Sequence, residues 1–188
     1  MPIGTSIPRF RWKCDTANKE GNELAVTVTK PIQEQKTIIY GWGNPIFGDD
    51  AAGIQAARQL NECNLPSTVE VAWSSSSPFS VAERFLGYDR AVLIDAFVGT
   101  DRESGEIIRF TGLADQKPLS MLTPHTASIL DVLKIYRELY PLRFPSRVIV
   151  YGLCINNPEM TNEITYELET GINNLLNLIQ CELTGESA

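Results

Sequence analysis

From Thr37 onward, the sequence alternates between short apolar runs and longer segments whose apolar residues recur at helical spacing. The apolar runs predict five strands, at 37–41, 69–72, 90–95, 106–110 and 147–153. The helical spacing predicts four helices, at 50–62, 78–87, 128–140 and 161–182. This order predicts an α/β fold: a three-layer sandwich in which helices cover both faces of a mainly parallel, five-stranded twisted sheet.

Two of the predicted strands, 90–95 and 147–153, are nearly continuous apolar runs, which is typical of strands covered on both faces. The last predicted helix carries one apolar stripe at helical spacing, which indicates a buried face. Its members are Ile164, Leu168, Ile172, Leu175, Leu176 and Ile179.

The length of 188 residues fits about one domain. Residues 1–35 are polar and mixed in charge, so we expect a loosely attached N-terminal extension, with one possible edge strand at 25–29, followed by a single α/β domain at 36–188. The four cysteines are far apart and form no CxxC pair, which argues against a disulfide framework and a zinc ribbon. No secretory signal or membrane-spanning stretch is apparent, so the expected location is the cytoplasm.

The net charge of −7 argues against a protein that binds the phosphate backbone of nucleic acids. Gly41-Trp42-Gly43 resembles the start of a dinucleotide fingerprint, but Ile46 stands where its third glycine belongs. A nucleotide-binding module is therefore not expected, and neither a nucleic acid nor a membrane is an expected partner.

Chemically useful side chains follow the apolar runs. The segment TIIYGWGNPIFGDDAAG, residues 37–53, leads a strand through a glycine-bracketed turn to Asp49 and Asp50 at the start of a helix. One acid can cap that helix while the other faces a crevice. Asp95 ends the apolar run Val92–Ile94, and His125 is the only histidine. In open sheets of this class ligands bind beyond the carboxyl ends of strands, so we expect these side chains to converge if the first and third strands are neighbours.

Carboxylates together with an imidazole are a ligand set that suits a transition ion such as nickel or zinc. The set lacks the thiolates of a structural zinc site. The sequence contains no HExxH, GxSxG or P-loop lysine pattern.

With these residues in view, the chain resembles the hydrogenase maturation proteases, which finish the large subunit of nickel-iron hydrogenases. The resemblance covers residues 37 to about 182. The resemblance rests on four segments: Gly41–Asn44 after the first strand, Asp49-Asp50 with Gly53, Leu93–Ala96, and Thr123–His125 leading to 130–133.

The resemblance implies an endopeptidase that removes the C-terminal extension of the large-subunit precursor once nickel has been inserted. It implies that Asp50, Asp95 and His125 bind metal and carry the catalysis, with Asp50 as a shorter substitute for a glutamate common in the family. The metal is the precursor's own nickel, for which zinc or another divalent ion can substitute. Two mechanisms stay open: attack by a metal-activated water, or a carboxylate acting as general base.

The chain departs from the family pattern in two places. Residues 73–78, Trp-Ser-Ser-Ser-Ser-Pro, replace an acidic, glycine-rich loop at the expected edge of the crevice, and the N-terminal extension is atypical. The serine-rich loop keeps an alternative open: a non-catalytic homologue that senses metal or acts as a scaffold and binds the nickel-loaded precursor without cutting it.

Overall fold

The computed structural model describes residues 35–99, 101–113, 128–156, 159–161 and 163–184. Its strands are β1 Thr37–Trp42, β2 Val69–Ser74, β3 Arg90–Val98, β4 Ile107–Thr111 and β5 Arg147–Ile155. Its helices are α1 Ala52–Asn61, α2 Pro78–Arg84, α3 Ile129–Leu139 and α4 Tyr166–Thr184, with a 3-10 turn at Gly48–Ala51 before α1. The extension at 1–34 and the possible strand at 25–29 lie outside the described residues, so the domain boundary stays a prediction.

The strands form one sheet in the order β2-β1-β3-β5-β4. The first four of these positions are parallel, and only β4 is antiparallel, along β5. The predicted mainly parallel, five-stranded sheet is therefore confirmed. The chain passes from β1 to β2 on one side and returns to place β3 on the other side, so the strand order reverses between β1 and β3.

Two apolar cores confirm the predicted sandwich, because alternate residues of each central strand point to opposite faces. On one face α1 and α4 pack over residues such as Val92 and Ile149. On the other face α2 and α3 pack over residues such as Leu93 and Val150. The predicted stripe of the last helix is confirmed as well, since Leu168, Ile172, Leu175, Leu176 and Ile179 are buried and Ile164 packs against them half-buried.

Several boundaries differ from the sequence prediction by a few residues, and two of these differences have a clear cause in pairing. The third strand continues past Asp95 to Val98, because residues 96–98 pair with 153–155 of β5. The last helix begins at Tyr166 rather than 161, because Thr161 instead forms a parallel bridge with Phe47. Both causes are long-range contacts, which local propensity does not report.

No helix among the described residues is long and apolar enough to cross a membrane.

The last turn of α4 is fastened to the sheet by Glu182. Its carboxylate accepts hydrogen bonds from the Tyr151 hydroxyl at 2.6 Å, from Arg109 Nε at 2.9 Å and from Arg90 at 2.9 Å. Burial raises the pKa of Glu182, but the hydrogen bonds from Tyr151 and Arg109 and the charges of Arg109 and Arg90 outweigh it, so this pKa is lowered overall.

We expect Glu182→Gln to lower the free energy of unfolding at neutral pH by about 2 kcal/mol, because Arg90 and Arg109 lose their shared counter-charge. A carboxyl with a lowered folded pKa stabilises above its unfolded pKa, and that contribution is lost as pH falls through the folded pKa. Urea unfolding at pH 7 and at about pH 3.5 should therefore show the difference between variant and wild type shrinking in acid. The control is Glu169→Gln, at an exposed position of the same helix. An equal fall in its free energy of unfolding would contradict the stabilising role given to Glu182.

Candidate active site

The crevice at the strand-order reversal is built by close contact between backbones. Helix α1 begins directly against β1 and β3, and glycines occupy the points of contact. A Cβ on Gly53 would lie 2.3 Å from the carbonyl oxygens of both Trp42 and Ile94, and one on Gly41 would lie 2.1 Å from the Gly53 carbonyl oxygen. The turn between β1 and α1 therefore lies at the boundary between the two strands.

Asn44 fixes the start of this turn. Its side-chain oxygen accepts a hydrogen bond from the Ile46 amide at 3.1 Å. Its own amide donates to the carbonyl oxygen of Asp50 at 3.2 Å, and the Asp50 amide donates to the Phe47 carbonyl oxygen at 2.8 Å. Both backbone polar groups of Asp50 are thus held within the turn.

Asp95 lies inside β3, beside the end of β1, and not at a strand end. Its neighbour Ile94 pairs with Gly41, and Asp95 itself pairs with Gly152 of β5. The side chain is 8% exposed, and one carboxylate oxygen accepts a hydrogen bond from the Ala96 amide at 2.9 Å. Burial that excludes water, rather than exposure at a strand terminus, therefore sets the chemistry of this acid.

The structure brings Asp50 and Asp95 together. Burial raises the pKa of Asp95 well above its usual range, and the neighbouring charge of Asp50 raises it further, against the lowering effect of the Ala96 hydrogen bond. Burial also raises the pKa of Asp50, although a backbone hydrogen bond from Asn44 opposes this. A buried acid whose charge is disfavoured both by burial and by a neighbouring carboxylate is typical of functional sites.

His125 and the Thr123–His125 segment lie outside the described residues, so the third predicted site residue has no position here. Among the residues that the structure does describe, no three histidine, cysteine or acidic side chains are grouped as a metal site. The metal set of Asp50, Asp95 and His125 stays a prediction, of which the two carboxylates are observed side by side.

Asp49 has a different role from the helix cap that the sequence suggests. The turn before α1 and α1 itself begin without any side-chain cap, at Phe47 and Ala51. The Asp49 side chain instead accepts two hydrogen bonds from Thr165, from its amide at 2.8 Å and from its hydroxyl at 3.0 Å. The capping interpretation is wrong because this carboxylate points away from its own helix toward the start of α4.

The serine-rich loop lies at the same edge of the sheet, as expected, because Ser74 pairs with Trp42 at the ends of β2 and β1. Its serines are used structurally. Ser77 caps α2 by accepting a hydrogen bond from the Ser80 amide, and Ser74 bonds the Tyr40 hydroxyl at 2.9 Å. The Ser76 carbonyl oxygen accepts the indole N–H of Trp42 at 2.8 Å.

An open cavity of about 750 Å³ lies at this edge, beyond the carboxyl ends of β3 and β5. Its lining is strongly acidic: Asp49, Glu103, Glu159, Glu163 and Glu167 contribute carboxylates, and Arg102 contributes a guanidinium group. The guanidinium group is already paired with Glu106. A negative field of this kind repels phosphate groups, which agrees with the exclusion of nucleotides and nucleic acids.

The sheet order, the glycine-mediated contact of α1 with the sheet and the paired acids define an α/β protein with the architecture of the hydrogenase maturation endopeptidases. The resemblance seen in the sequence is confirmed at the level of the fold by solved structures. The hydrogenase maturating endopeptidase HybD from Escherichia coli is similar with a TM-score of 0.64 and 19% identity, over 80% of this chain and 93% of that one. The maturation protease HycI from Thermococcus kodakarensis has a TM-score of 0.64 and 22% identity over the same shares.

A solution structure of an endopeptidase from Escherichia coli is similar with a TM-score of 0.67 and 20% identity, over 80% of this chain and 93% of that chain. No protein-family model matches the sequence, and no curated protein matches it significantly. Because the identities to these structures are only 19–22%, the similarity establishes the fold alone.

Proposed function

We propose that this chain is an endopeptidase that removes the C-terminal extension of a nickel-iron hydrogenase large-subunit precursor after nickel has been inserted. One observation carries the proposal: Asp50 and Asp95 adjoin each other where the strand order reverses, in the fold of hydrogenase maturation endopeptidases. Ligands of open α/β sheets bind at this position.

The donor set supports binding of the precursor's nickel. Burial and the charge of Asp50 disfavour the ionised form of Asp95, and a divalent cation between the two carboxylates would favour it. We propose His125 as the third ligand. Helix α3, which follows it in sequence, packs on the sheet face that carries Leu93, and Asp95 shares that face by alternation. Nickel is then part of the substrate, and zinc or another divalent ion is a surrogate.

The same two acids suit the hydrolytic step. Burial and the charge of Asp50 raise the pKa of Asp95 and so make its carboxylate more basic than a free one, which suits a general base. In this proposal the ion carried by the precursor locates the scissile peptide beside the pair, and one carboxylate accepts the proton of the attacking water.

The alternative of a non-catalytic sensor or scaffold depended on the serine-rich loop as a departure from the family pattern. Its Ser77 caps α2 and its Ser74 hydrogen-bonds Tyr40, so both side chains already have structural partners. This loop therefore no longer favours the alternative.

The test is a cleavage assay on a candidate large-subunit precursor, with and without nickel, read by intact mass. We expect nickel-dependent loss of a C-terminal peptide by the wild type, and a loss of rate of at least about a hundredfold with His125→Ala. Asp131→Asn, at an exposed aspartate of α3, is the matched control and should cleave normally. Nickel-dependent binding without cleavage would move the chain to the sensor or scaffold class.

A further inference from the structure

Asp49 is almost fully buried, at 9% exposure, yet it takes no part in the pair formed by Asp50 and Asp95. Its two carboxylate oxygens accept hydrogen bonds from a single residue, Thr165, at 2.8 and 3.0 Å. Such two-point hydrogen bonding to a carboxylate is strong and fixes direction as well as distance. The donor lies 116 positions further along the chain, so the contact joins two separate segments.

The same segments are joined twice more. The Gly48 amide donates to the Thr161 carbonyl oxygen at 2.8 Å, next to the parallel bridge between Phe47 and Thr161. Their approach is close, since a Cβ on Gly48 would lie 2.6 Å from the Glu163 carbonyl oxygen. The turn at 47–49 is therefore held against Thr161 and Thr165.

Asp50 is the next residue in this turn. Its amide donates to the Phe47 carbonyl oxygen at 2.8 Å, so the position of Asp50 depends on the position of the turn. Asp95 is held within β3, where it pairs with Gly152, so a shift of the turn would move Asp50 relative to Asp95. The two hydrogen bonds between Thr165 and Asp49 resist such a shift.

We propose that Asp49 is a positioning residue: through Thr165 it holds the turn that presents Asp50 to Asp95, and it binds neither the ion nor the peptide. This inference rests on the proposed endopeptidase function for its kinetic readout. It also assigns different roles to the two adjacent acids.

The experiment uses the full chain and four variants. Asp49→Asn removes the charge at constant shape, and Thr165→Val removes the hydroxyl donor at constant shape. Thr165→Ser keeps that donor. Thr170→Val is the matched control, because Thr170 is equally an exposed threonine whose hydroxyl bonds only the Tyr166 carbonyl oxygen within α4. All assays are run where circular dichroism shows each variant fully folded.

We expect Asp49→Asn and Thr165→Val to lower kcat on the precursor about tenfold, with KM within about twofold of wild type. The double variant should be no slower than the slower single one, because both changes break the same link. Thr165→Ser should keep most of the rate, and Thr170→Val all of it. Unchanged kcat in folded Asp49→Asn and Thr165→Val would overturn the proposal, and a KM rise as large as the fall in kcat would place Asp49 in the binding surface instead.

Amide hydrogen exchange gives a readout that does not need cleavage. The Asp50 amide should exchange about tenfold faster in Thr165→Val than in wild type, with no change in Thr165→Ser or in amides of β3 and β5. If the wild type cleaves no precursor, the proposed function fails, and exchange alone decides the positioning role. Equal Asp50 exchange in the valine and serine variants would overturn it.

Discussion

Asp95→Asn is expected to reduce precursor cleavage by at least about a hundredfold while leaving the fold intact. Asparagine has the shape of aspartate, and its side-chain oxygen can still accept the Ala96 amide, so packing inside β3 is kept. The change removes an ionisable group whose charged form is disfavoured by burial and by Asp50. The free energy of unfolding at neutral pH should therefore be equal to or higher than that of wild type, since asparagine cannot ionise.

The combination of lost activity and preserved stability is the decisive result for Asp95. Intact-mass cleavage assays and urea unfolding on the same protein preparation measure the two quantities. Asp50→Ala should lose activity in parallel, whereas Asp131→Asn at an exposed site should change neither quantity. Marked destabilisation of Asp95→Asn together with normal cleavage would mean that the buried acid is purely structural.

Gly53→Ala is expected to produce the largest loss of stability of any single methyl addition in α1. The new Cβ would lie 2.3 Å from two backbone oxygens, those of Trp42 and Ile94, and neither can rotate away. Either α1 moves off the sheet or β1 and β3 separate, so the free energy of unfolding should fall by about 3 kcal/mol.

Movement of α1 also displaces the preceding turn, so Gly53→Ala should lower cleavage even in the folded fraction. Urea unfolding measures the first effect, and cleavage at a low temperature measures the second. Asn61→Ala, at an exposed position of the same helix, should stay within about 0.5 kcal/mol of wild type. If Gly53→Ala left the free energy of unfolding nearly unchanged, α1 and the sheet would be able to move apart at this contact, contrary to the close approach described above.

The order and type of the strands and helices are readable from the sequence because each central strand is a long apolar run and each helix carries an apolar face. Val92–Ile94 and Val148–Val150 need no partner to be recognised as buried. The extent of the third strand past Asp95 is not readable in this way. It depends on pairing with 153–155 of β5, and a polar residue inside a strand looks locally like its end.

The candidate site is predictable only in part. The approach of Asp50 to Asp95 follows from the pairing of β1 with β3, although Asp95 lies inside its strand and not at its end. Their joint role with His125 stays a prediction. The separate contacts of Asp49 are not predictable, because adjacent aspartates are equivalent by composition and only the distant Thr165 distinguishes them. Thr165 gives no local signal, since it follows Ile164 inside the predicted apolar stripe, where the sequence predicts a helix.

The link between Asp49 and Thr165 also has a consequence for biosynthesis. A ribosome makes β1 and its turn early, but it adds the residue that fastens this turn 116 positions later, just before the last described helix. A nascent chain that stops short of that helix holds most of the sheet and both acids, yet its turn has nothing to close against. In the proposed endopeptidase, full activity is therefore expected only after the segment before the final helix has docked, and partly synthesised copies should cleave more slowly than the finished chain.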